Sequence, residues 1–482
     1  KAGQGKISYD FQWSSQSLAR IPAMLNAEQY IDYMVESQTF TENELRNGWD
    51  GVTNTAWTDV AFDNSQMQKH NVSFTNGSEN GNYYLSLTYL DNNGIVKGDV
   101  DVYKRLTATI NSEYAIKPWL KVGTTNQIEK FNIRSVSMNN EYGSLLTSIL
   151  QLDPLTPDTY AADKLPAHMQ TALNNGKHLL KNENGDYYAV SKYYAGEQFH
   201  PMIMRDNNIG KNSGFNVNGS IYSDFKPIKD FTFTSRFGYR LSGTRQSSTD
   251  LPFYGNSTQS RDYVSLNARS TTSIYYQWEN FANYTKSFGQ HTVTGMVGMS
   301  YQESTNDNVY GSLSANSEDA IKKNDPLFYY LNYGSASATK GVAGEKIRSA
   351  KLSYFGRVGY EFAGRYLLQG SLRADAADLS LLPSTNRWGY FPSVGLGWVI
   401  TDENFMRELK DVLNYTKIKA SWGKLGNDKI GNYLWFPTIN PKGQQVVVDG
   451  KTYYIPTVSN LVDENIHWEV VTGFDFGIES QV

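Results

Sequence analysis

Alternation of apolar and polar residues runs through this chain from end to end, and it constrains the fold more than any other feature. In one stretch, Phe231, Phe233 and Phe237 alternate with Thr232 and Thr234. Such a period of two places the two residue types on opposite faces of a β-strand. The same pattern recurs at 83–89, 105–110, 351–361, 366–373 and 417–422. The sequence therefore predicts an all-β protein with roughly 14 strands.

The connections between the predicted strands alternate between short and long. The short ones are 76–81, 113–118, 224–230, 285–290 and 362–365, and the long ones are 14–68, 131–211, 241–269, 302–347, 374–390 and 424–468. In an antiparallel meander every second connection lies at the same edge of the sheet, so all the long loops share one edge. Outer-membrane barrels have short periplasmic turns and long extracellular loops, whereas compact soluble domains rarely hold several loops above about 15 residues. The lengths predict a transmembrane antiparallel β-barrel with long extracellular loops.

Two connections depart from this scheme. Segment 91–101 is a short hairpin on the long-loop side, with the turn residues Asn92, Asn93 and Gly94. Segment 401–414 lies on the short-turn side, and its sequence predicts one or two helical turns.

Composition excludes several classes of protein. No stretch approaches the roughly 18 apolar residues that a membrane helix needs, although 14% of the residues are aromatic. A membrane barrel stays possible, because its strands alternate between lipid and lumen and are polar on average. The 44 basic and 48 acidic residues argue against a nucleic-acid partner. The absence of cysteine excludes disulfides and thiolate chemistry.

Catalytic and metal-binding patterns are weak. The six histidines are scattered, and none has the helical spacing of a zinc protease motif. The acidic pairs Asp375/Asp378 and Asp402/Glu403 favour hydrated or cation-binding loops over a glycosidase pair, which needs a cleft. We therefore predict that the protein is not an enzyme and has no metal site and no cofactor.

Aromatic residues fall into two groups by position. Those near strand ends are typical of the girdle at the lipid–water boundary; they are Trp13, Trp119, Tyr366 and Trp398. Those in the long loops suit stacking on sugar rings or contact with a protein lid; the candidates are Trp49, Trp57, Tyr193, Tyr194, Tyr329 and Tyr330. The alternative for the loop group is packing within an ordered extracellular surface.

A series of motifs carries a family resemblance. The most specific is Asn386-Arg387-Trp388-Gly389-Tyr390-Phe391-Pro392-Ser393, followed by Gly397-Trp398, Glu403-Asn404-Phe405-Met406, Ser421-Trp422-Gly423 and His467-Trp468-Glu469. Earlier blocks lie at 25–30, 57–62, 70–73, 83–95 and 278–291. In this order and spacing the chain resembles the SusC-like (also called RagA-like) TonB-dependent outer-membrane transporters. The resemblance implies structural roles for Arg387, Trp388, Gly389, Phe391, Pro392, Trp398, Gly423, Trp468 and Glu469.

The resemblance also implies an architecture and a function. The family fold is a barrel of 22 strands filled by an N-terminal plug, so we expect residues 1–482 to be a barrel-domain fragment with roughly 14 of those strands and no plug. The implied function is active import of oligosaccharides or peptides across the outer membrane of a Gram-negative bacterium. The implied partners are a SusD-like surface lipoprotein, TonB through the missing N-terminal region, outer-membrane lipid, and a glycan or peptide ligand.

Two rival functions come from other classes. One is a surface adhesin or passive porin on a similar barrel, and the other is a soluble carbohydrate-binding β-protein. Purification without detergent as one monodisperse species would favour the soluble protein, and conductance in liposomes would favour the passive pore. A neighbouring gene for a SusD-like protein would favour the transporter.

Overall fold

A computed structural model describes residues 3–138, 140, 143–194, 196–317, 329–409 and 412–481. Fourteen strands form one sheet in which every neighbouring pair is antiparallel and follows chain order. These strands are β1 (Gly3–Gln16), β2 (Ser65–Gly77), β3 (Gly81–Asn93), β4 (Val102–Lys117), β5 (Leu120–Arg134), β8 (Asn208–Phe225), β9 (Phe231–Asp250), β12 (Ser265–Phe288), β13 (His291–Ser314), β14 (Thr339–Phe362), β15 (Tyr366–Ala376), β16 (Trp388–Val399), β17 (Tyr415–Asn427) and β20 (Glu469–Gln481). The number of strands and their antiparallel order agree with the sequence prediction.

The remaining elements lie in the connections. Three two-stranded pairs are formed by β6 (Thr159–Tyr160) with β7 (Tyr187–Tyr188), β10 (Phe253–Tyr254) with β11 (Ser260–Arg261), and β18 (Ile439–Val448) with β19 (Lys451–Val458). The α-helices are α1 (Ala27–Glu36), α2 (Glu42–Arg46), α3 (Trp57–Ala61), α4 (Leu145–Gln151), α5 (Ala167–Asn174) and α6 (Pro201–Asp206). Short 3₁₀ helices span Leu331–Tyr333, Ile400–Asp402 and Asn404–Leu409. No helix within the described ranges has the length and apolar character needed to cross a membrane.

The strand register aligns the apolar residues of each strand with those of its neighbours. Trp278 of β12 pairs with Phe237 of β9 and with Tyr301 of β13, and Tyr301 pairs with Leu352 of β14. Apolar residues of adjacent strands therefore share one face, which we call the outward face. Its side chains are open to the surroundings, with Val297 at 65% exposure. No second sheet packs on it among the described elements.

The opposite face of the sheet is polar and concave. At the short-turn end it bounds a hollow of about 750 Å³. Polar and charged side chains along this hollow include Thr294, Glu361, Gln369, Lys417 and Asp475. We call this the inward face.

Connection lengths sort by edge, as predicted. The short edge carries 78–80, 118–119, 226–230, 289–290, 363–365 and 400–414, and the long edge carries 17–64, 94–101, 135–207, 251–264, 315–338, 377–387 and 428–468. One of the two-residue turns, 289–290, depends on Gly289, whose φ of 61° lies in the left-handed region that glycine adopts without strain. The helical turns expected at 401–414 occur as the two 3₁₀ helices there.

Several predicted loop boundaries were wrong. The connection predicted at 241–269 is only 251–264, and the one predicted at 302–347 is only 315–338, because β9, β12, β13 and β14 extend further. These extensions contain stretches with polar residues on both faces, such as Thr305-Asn306-Asp307-Asn308. A strand with water on both sides has no alternation to reveal it.

The buried core of the molecule lies in the loops of the long edge. Its centre holds Trp57, Leu145, Ile149 and Ile203, and a second cluster surrounds Ile31 and Leu45. Helices α1, α2 and α4 each begin with a capping box, in which the cap side chain and the third helical residue bond reciprocally. These connections are folded structures rather than the plain loops that the sequence suggested.

Candidate functional site

The aromatic candidates lie mainly in the loop assembly, which we define as residues 17–64, 135–207 and 251–264. Trp57 at the start of α3 is 5% exposed, and its Nε1 donates to the Asp153 carbonyl oxygen at 2.8 Å. Its ring meets the His200 ring edge-on, with centroids 5.0 Å apart. Trp57 therefore joins three loop segments, and a ligand could reach its ring only after these segments moved.

Asp153 anchors the same region with a buried carboxylate. It accepts hydrogen bonds from the Thr156 backbone N–H at 2.8 Å, the Thr156 hydroxyl at 2.9 Å and the Ser191 hydroxyl at 2.5 Å. Burial raises the pKa of this carboxyl, and the hydrogen bonds offset that rise only in part. The side chain ties the turn after α4 to the segment that carries Tyr193 and Tyr194.

Tyr193, Trp49 and Tyr194 also take part in loop packing. The Tyr193 hydroxyl donates to the Leu45 carbonyl oxygen at 3.3 Å, and burial raises the pKa of this tyrosine to about 12. Trp49 is half-buried against the same cluster and donates from Nε1 to the Thr53 carbonyl oxygen at 2.7 Å. The half-buried Tyr194 donates its hydroxyl to Gln151 Oε1 at 2.8 Å.

Tyr329 and Tyr330 lie apart from the loop assembly, in connection 315–338. Tyr329 packs against a small cluster that contains Leu266 and Leu313. Tyr330 is 56% exposed and faces Tyr333, with ring centroids 6.3 Å apart. Of the six aromatic candidates, Tyr330 offers the most open ring for stacking. Contact of these six residues with a ligand or a lid stays a prediction.

A polar cavity that the sequence did not predict lies where the loop assembly meets the long edge of the sheet. It measures about 420 Å³, and Phe199, Arg205, Asp250, Phe253 and Arg261 contribute to its wall. Donors, acceptors and aromatic rings together are the groups that bind polar ligands. Its residues are contributed by distant parts of the chain, so no local motif marks it.

The charged groups of this cavity are held in place. Arg205 bonds Asp206 through two nitrogens at 2.6 and 2.7 Å. Asp250 accepts from Asn208 at 2.5 Å, while the Arg261 guanidinium lies 3.6 Å from Asp250 and 5.7 Å from the centre of the Phe253 ring. The wall therefore presents preorganised charges of both signs.

Two aromatic residues of the family motif fill a gap between β16 and β17, and two further motif residues support them. The β16–β17 ladder begins at Ser393 with Gly423, so β16 lacks this neighbour from Trp388 to Pro392. Phe391 and Trp468 occupy the gap with ring centroids 5.3 Å apart. Trp468 Nε1 donates to the Arg387 carbonyl oxygen at 2.9 Å. A Cβ on Gly389 would lie 2.4 Å from the Phe391 ring, so the packing requires glycine there.

Pro392 and Gly423 mark the start of the same ladder. Pro392 cannot donate a ladder hydrogen bond, and it lies in the last position of β16 before the pairing with β17. A Cβ on Gly423 would lie 3.1 Å from Cβ of Ser393.

The remaining motif residues mark the rims of the sheet. Trp398 donates from Nε1 to Glu403 at 3.0 Å and stacks on Tyr366 at the short edge. Trp388 stacks on Tyr354 with ring centroids 6.1 Å apart. Glu469 accepts from Asn427 Nδ2 at 2.7 Å, which closes the far end of the β17–β20 pair.

Metal chemistry receives no geometric support within the part of the chain that the structure describes, where no three His, Asp or Glu side chains are grouped as ligands. Absence of a cofactor and of catalysis stays a prediction.

The two faces of the sheet and the positions of its connections define a class of protein. A sheet with an exposed apolar face, a polar concave face and all its long connections at one edge is the wall of a transmembrane β-barrel. Antiparallel pairing satisfies the backbone hydrogen bonds along the strands, as a lipid environment requires.

Comparison with known proteins agrees with this class. The chain is 28% identical over 441 residues to the TonB-dependent receptor SusC of Bacteroides thetaiotaomicron, covering 89% of this chain and 41% of that protein. It is 27% identical over 495 residues to the TonB-dependent receptor P39 of Formosa agariphila, covering 99% of this chain and 42% of that protein. The chain thus spans less than half the length of these relatives. No protein-family model matches it.

A solved structure shows the same fold. The RagAB peptide transporter superposes with a TM-score of 0.77 at 20% sequence identity, covering 99% of this chain and 52% of that one. The resemblance that the motifs indicated is therefore confirmed: the chain is a homologue of the SusC-like TonB-dependent receptors and has the fold of their barrel wall.

Proposed function

We propose that residues 1–482 form one barrel domain of a transporter that imports oligosaccharides or peptides across the outer membrane of a Gram-negative bacterium. The observation that carries this proposal is the sheet itself, with its exposed outward face, its polar inward face and its edge of long loops. The homology to TonB-dependent receptors supports active import rather than simple diffusion.

The inward face would line the path of the ligand. Thr294, Gln369, Lys417 and Asp475 offer donors and acceptors, so a hydrated substrate can pass without losing all its hydrogen bonds. Energy would come through TonB acting on an N-terminal plug region outside this chain. The sheet is the static part of this mechanism.

The long edge would recognise the ligand and the cap. Tyr330 presents an open ring, and the polar cavity beside Arg205 and Arg261 can bind carboxylates, amides or hydroxyls. Both features suit a glycan or a peptide. A SusD-like lipoprotein would cover this edge from outside, with Trp49, Trp57, Tyr193, Tyr194 and Tyr329 shaping the loops that it meets.

The rival functions make different use of the same sheet. A soluble carbohydrate-binding protein would have to hide apolar residues such as Val297 (65% exposed) and Phe476 (75% exposed). A passive porin or an adhesin would keep the sheet in the membrane but would not need TonB.

Deletion of the complete gene that encodes this segment tests the proposal. The strain should lose growth on an oligosaccharide mixture or on a peptide mixture as the only nutrient, and plasmid complementation should restore growth only when TonB is functional. Restoration without TonB, together with conductance of the purified protein in liposomes, would establish a passive pore. Recovery of the protein in the soluble fraction would exclude transport altogether.

A further inference from the structure

A group of cations lies on the outward face, near the long edge of three neighbouring strands. Asn132 of β5, Ser213 of β8 and Arg245 of β9 are in register across the sheet. Lys130 and Arg134 lie two residues to either side of Asn132, and Lys211 lies two residues from Ser213. All four cationic side chains are exposed, and Arg134, at the end of β5, also contributes to the wall of the polar cavity. We call Lys130, Arg134, Lys211 and Arg245 the basic rim patch.

The alternation places the patch on the side of the sheet that faces lipid. Lys130 shares its face with Ile128, Lys211 with Phe215, and Arg245 with Phe237. These apolar residues are 47%, 43% and 42% exposed and lie on the short-edge side of the cations. The patch therefore lies just above the apolar belt.

The patch is compact. Neighbouring strands lie about 4.8 Å apart, and four residues along a strand extend about 13 Å. The four cations thus occupy an area of about 10 by 13 Å.

Three other cations on the outward face near the long edge have carboxylate partners. Lys104 pairs with Asp91 at 2.9 Å, Arg348 with Glu303 at 2.7 Å, and Lys346 with Asp307 at 3.8 Å. The outward positions of β5, β8 and β9 contain no Asp or Glu. Across the ranges that the structure covers, no ion pair involves the four patch cations. Four like charges at this spacing repel one another unless an anion from outside covers them.

We propose that the basic rim patch binds the phosphate groups of an outer-leaflet glycolipid. Its position above the apolar belt matches the depth of a lipid headgroup whose acyl chains lie against Ile128, Phe215 and Phe237. Arg and Lys are the side chains that bind phosphate, through paired hydrogen bonds and through charge. The lipid phosphate would supply the negative charge that Asp91, Glu303 and Asp307 supply to the other cations within the protein.

The inference rests on the proposed outer-membrane location and not on import. The variant K130Q/K211Q leaves Arg134 in the cavity wall unchanged. If it still inserts and still supports growth but retains less glycolipid, the two proposals are separated.

Native mass spectrometry of the purified complete transporter tests the patch. The probes are lipid A carrying phosphate, the same lipid after removal of its phosphate, and inorganic phosphate. Wild type should retain phosphorylated lipid A at least about tenfold better than the dephosphorylated form, and less well as ionic strength rises. The variant K130Q/R134Q/K211Q/R245Q should lose this preference, and K130Q/K211Q should show an intermediate loss.

The control is K226Q/K229Q, which removes two exposed lysines at the short edge and matches K130Q/K211Q in residue type and charge. This control should bind lipid A like wild type. Equal retention by wild type and the quadruple variant would overturn the proposal, and so would equal retention of the two lipids. Full displacement of lipid A by inorganic phosphate at low millimolar concentration would overturn the assignment of a lipid as the ligand.

Discussion

In the loop assembly Leu45 and Ile203 are fully buried, whereas in the sheet Val297 and Val358 are 65% and 62% exposed. The loops fold as a small soluble domain does, by moving apolar side chains away from water. The sheet does the reverse, because its apolar face is complementary to acyl chains. The chain therefore contains two regions that are stabilised in different ways. The same type of substitution should have different effects on stability in the loop assembly and in the sheet.

The largest effect should come from removing volume inside the loop assembly. Ile203→Ala leaves a cavity at a fully buried position and should destabilise the assembly by about 2–5 kcal/mol. The sheet should still insert, because its stability does not depend on this core. The urea midpoint of the assembly, read from the ¹⁹F signal of 5-fluorotryptophan at Trp57, checks the first claim.

Ile228→Ala is the matched control, since this side chain is 62% exposed in a short-edge turn. It should change the free energy of unfolding by less than about 0.5 kcal/mol. Failure of Ile203→Ala to reach the membrane would mean that the two regions do not fold separately.

A charge on the outward face should have the next largest effect. Val297→Arg exposes a guanidinium to acyl chains and should cost about 2–4 kcal/mol if the position is near the middle of the bilayer. Thr294→Arg on the inward face of the same strand should be tolerated, because that side chain meets the polar hollow. The heat-modifiable electrophoretic mobility of the protein in outer-membrane fractions measures how much of each variant is folded and inserted. An equal loss of folded protein for the two variants would contradict the assignment of faces.

The gap between β16 and β17 combines features of both regions, because buried aromatic side chains pack there within the sheet. A Cβ on Gly426 would lie 2.0 Å from the Phe391 ring, so Gly426→Ala should displace Phe391 and destabilise the sheet by about 1–3 kcal/mol. Gly473→Ala on the adjacent strand meets nothing within 4 Å and should have little effect. The urea midpoint of the refolded protein distinguishes the two, and a neutral Gly426→Ala would show that Phe391 does not need this space.

The smallest effect concerns pH. Burial raises the pKa of Asp153 in the folded loop assembly, so this group favours folding below its unfolded pKa, and that contribution is lost as pH rises through the folded value. Wild type should therefore become less stable with rising pH in this window, while Asp153→Asn should flatten the dependence. The ¹⁹F signal of Trp57, followed in urea at several pH values, measures how the free energy of unfolding depends on pH. The same pH dependence in wild type and Asp153→Asn would show that Asp153 does not cause it.

The sequence predicted the sheet better than the loops. Residues such as Phe231, Phe233 and Phe237 alternate because lipid and lumen impose different chemistry on the two faces, and that signal is local. The strand ends next to the long loops lack this signal, as at 302–314. The capping pairs Asn26/Gln29 and Thr41/Glu44 would have revealed two of the helices, whereas Ser144/Thr147 has threonine where the signature has Glu or Gln.

The candidate site was predicted only by residue type. Aromatic content in long loops suggested ligand contact, but Trp57 and Tyr193 are buried by contacts with Asp153 and Leu45 that lie 96 and 148 residues away in the chain. The cavity beside Arg205 and Arg261 likewise depends on distant segments. No periodicity or spacing encodes such contacts, since they arise when loops from different strand pairs pack together.

The central claim is that the outward face of the sheet touches lipid and the inward face touches water. The chain has no cysteine, so single cysteines at 293–300 of β13 can each carry a nitroxide label without background. In liposomes, we expect odd positions to collide with oxygen and even positions with a water-soluble nickel chelate, in a strict period of two. Access of the chelate to both sets, or oxygen contact without alternation, would contradict the account.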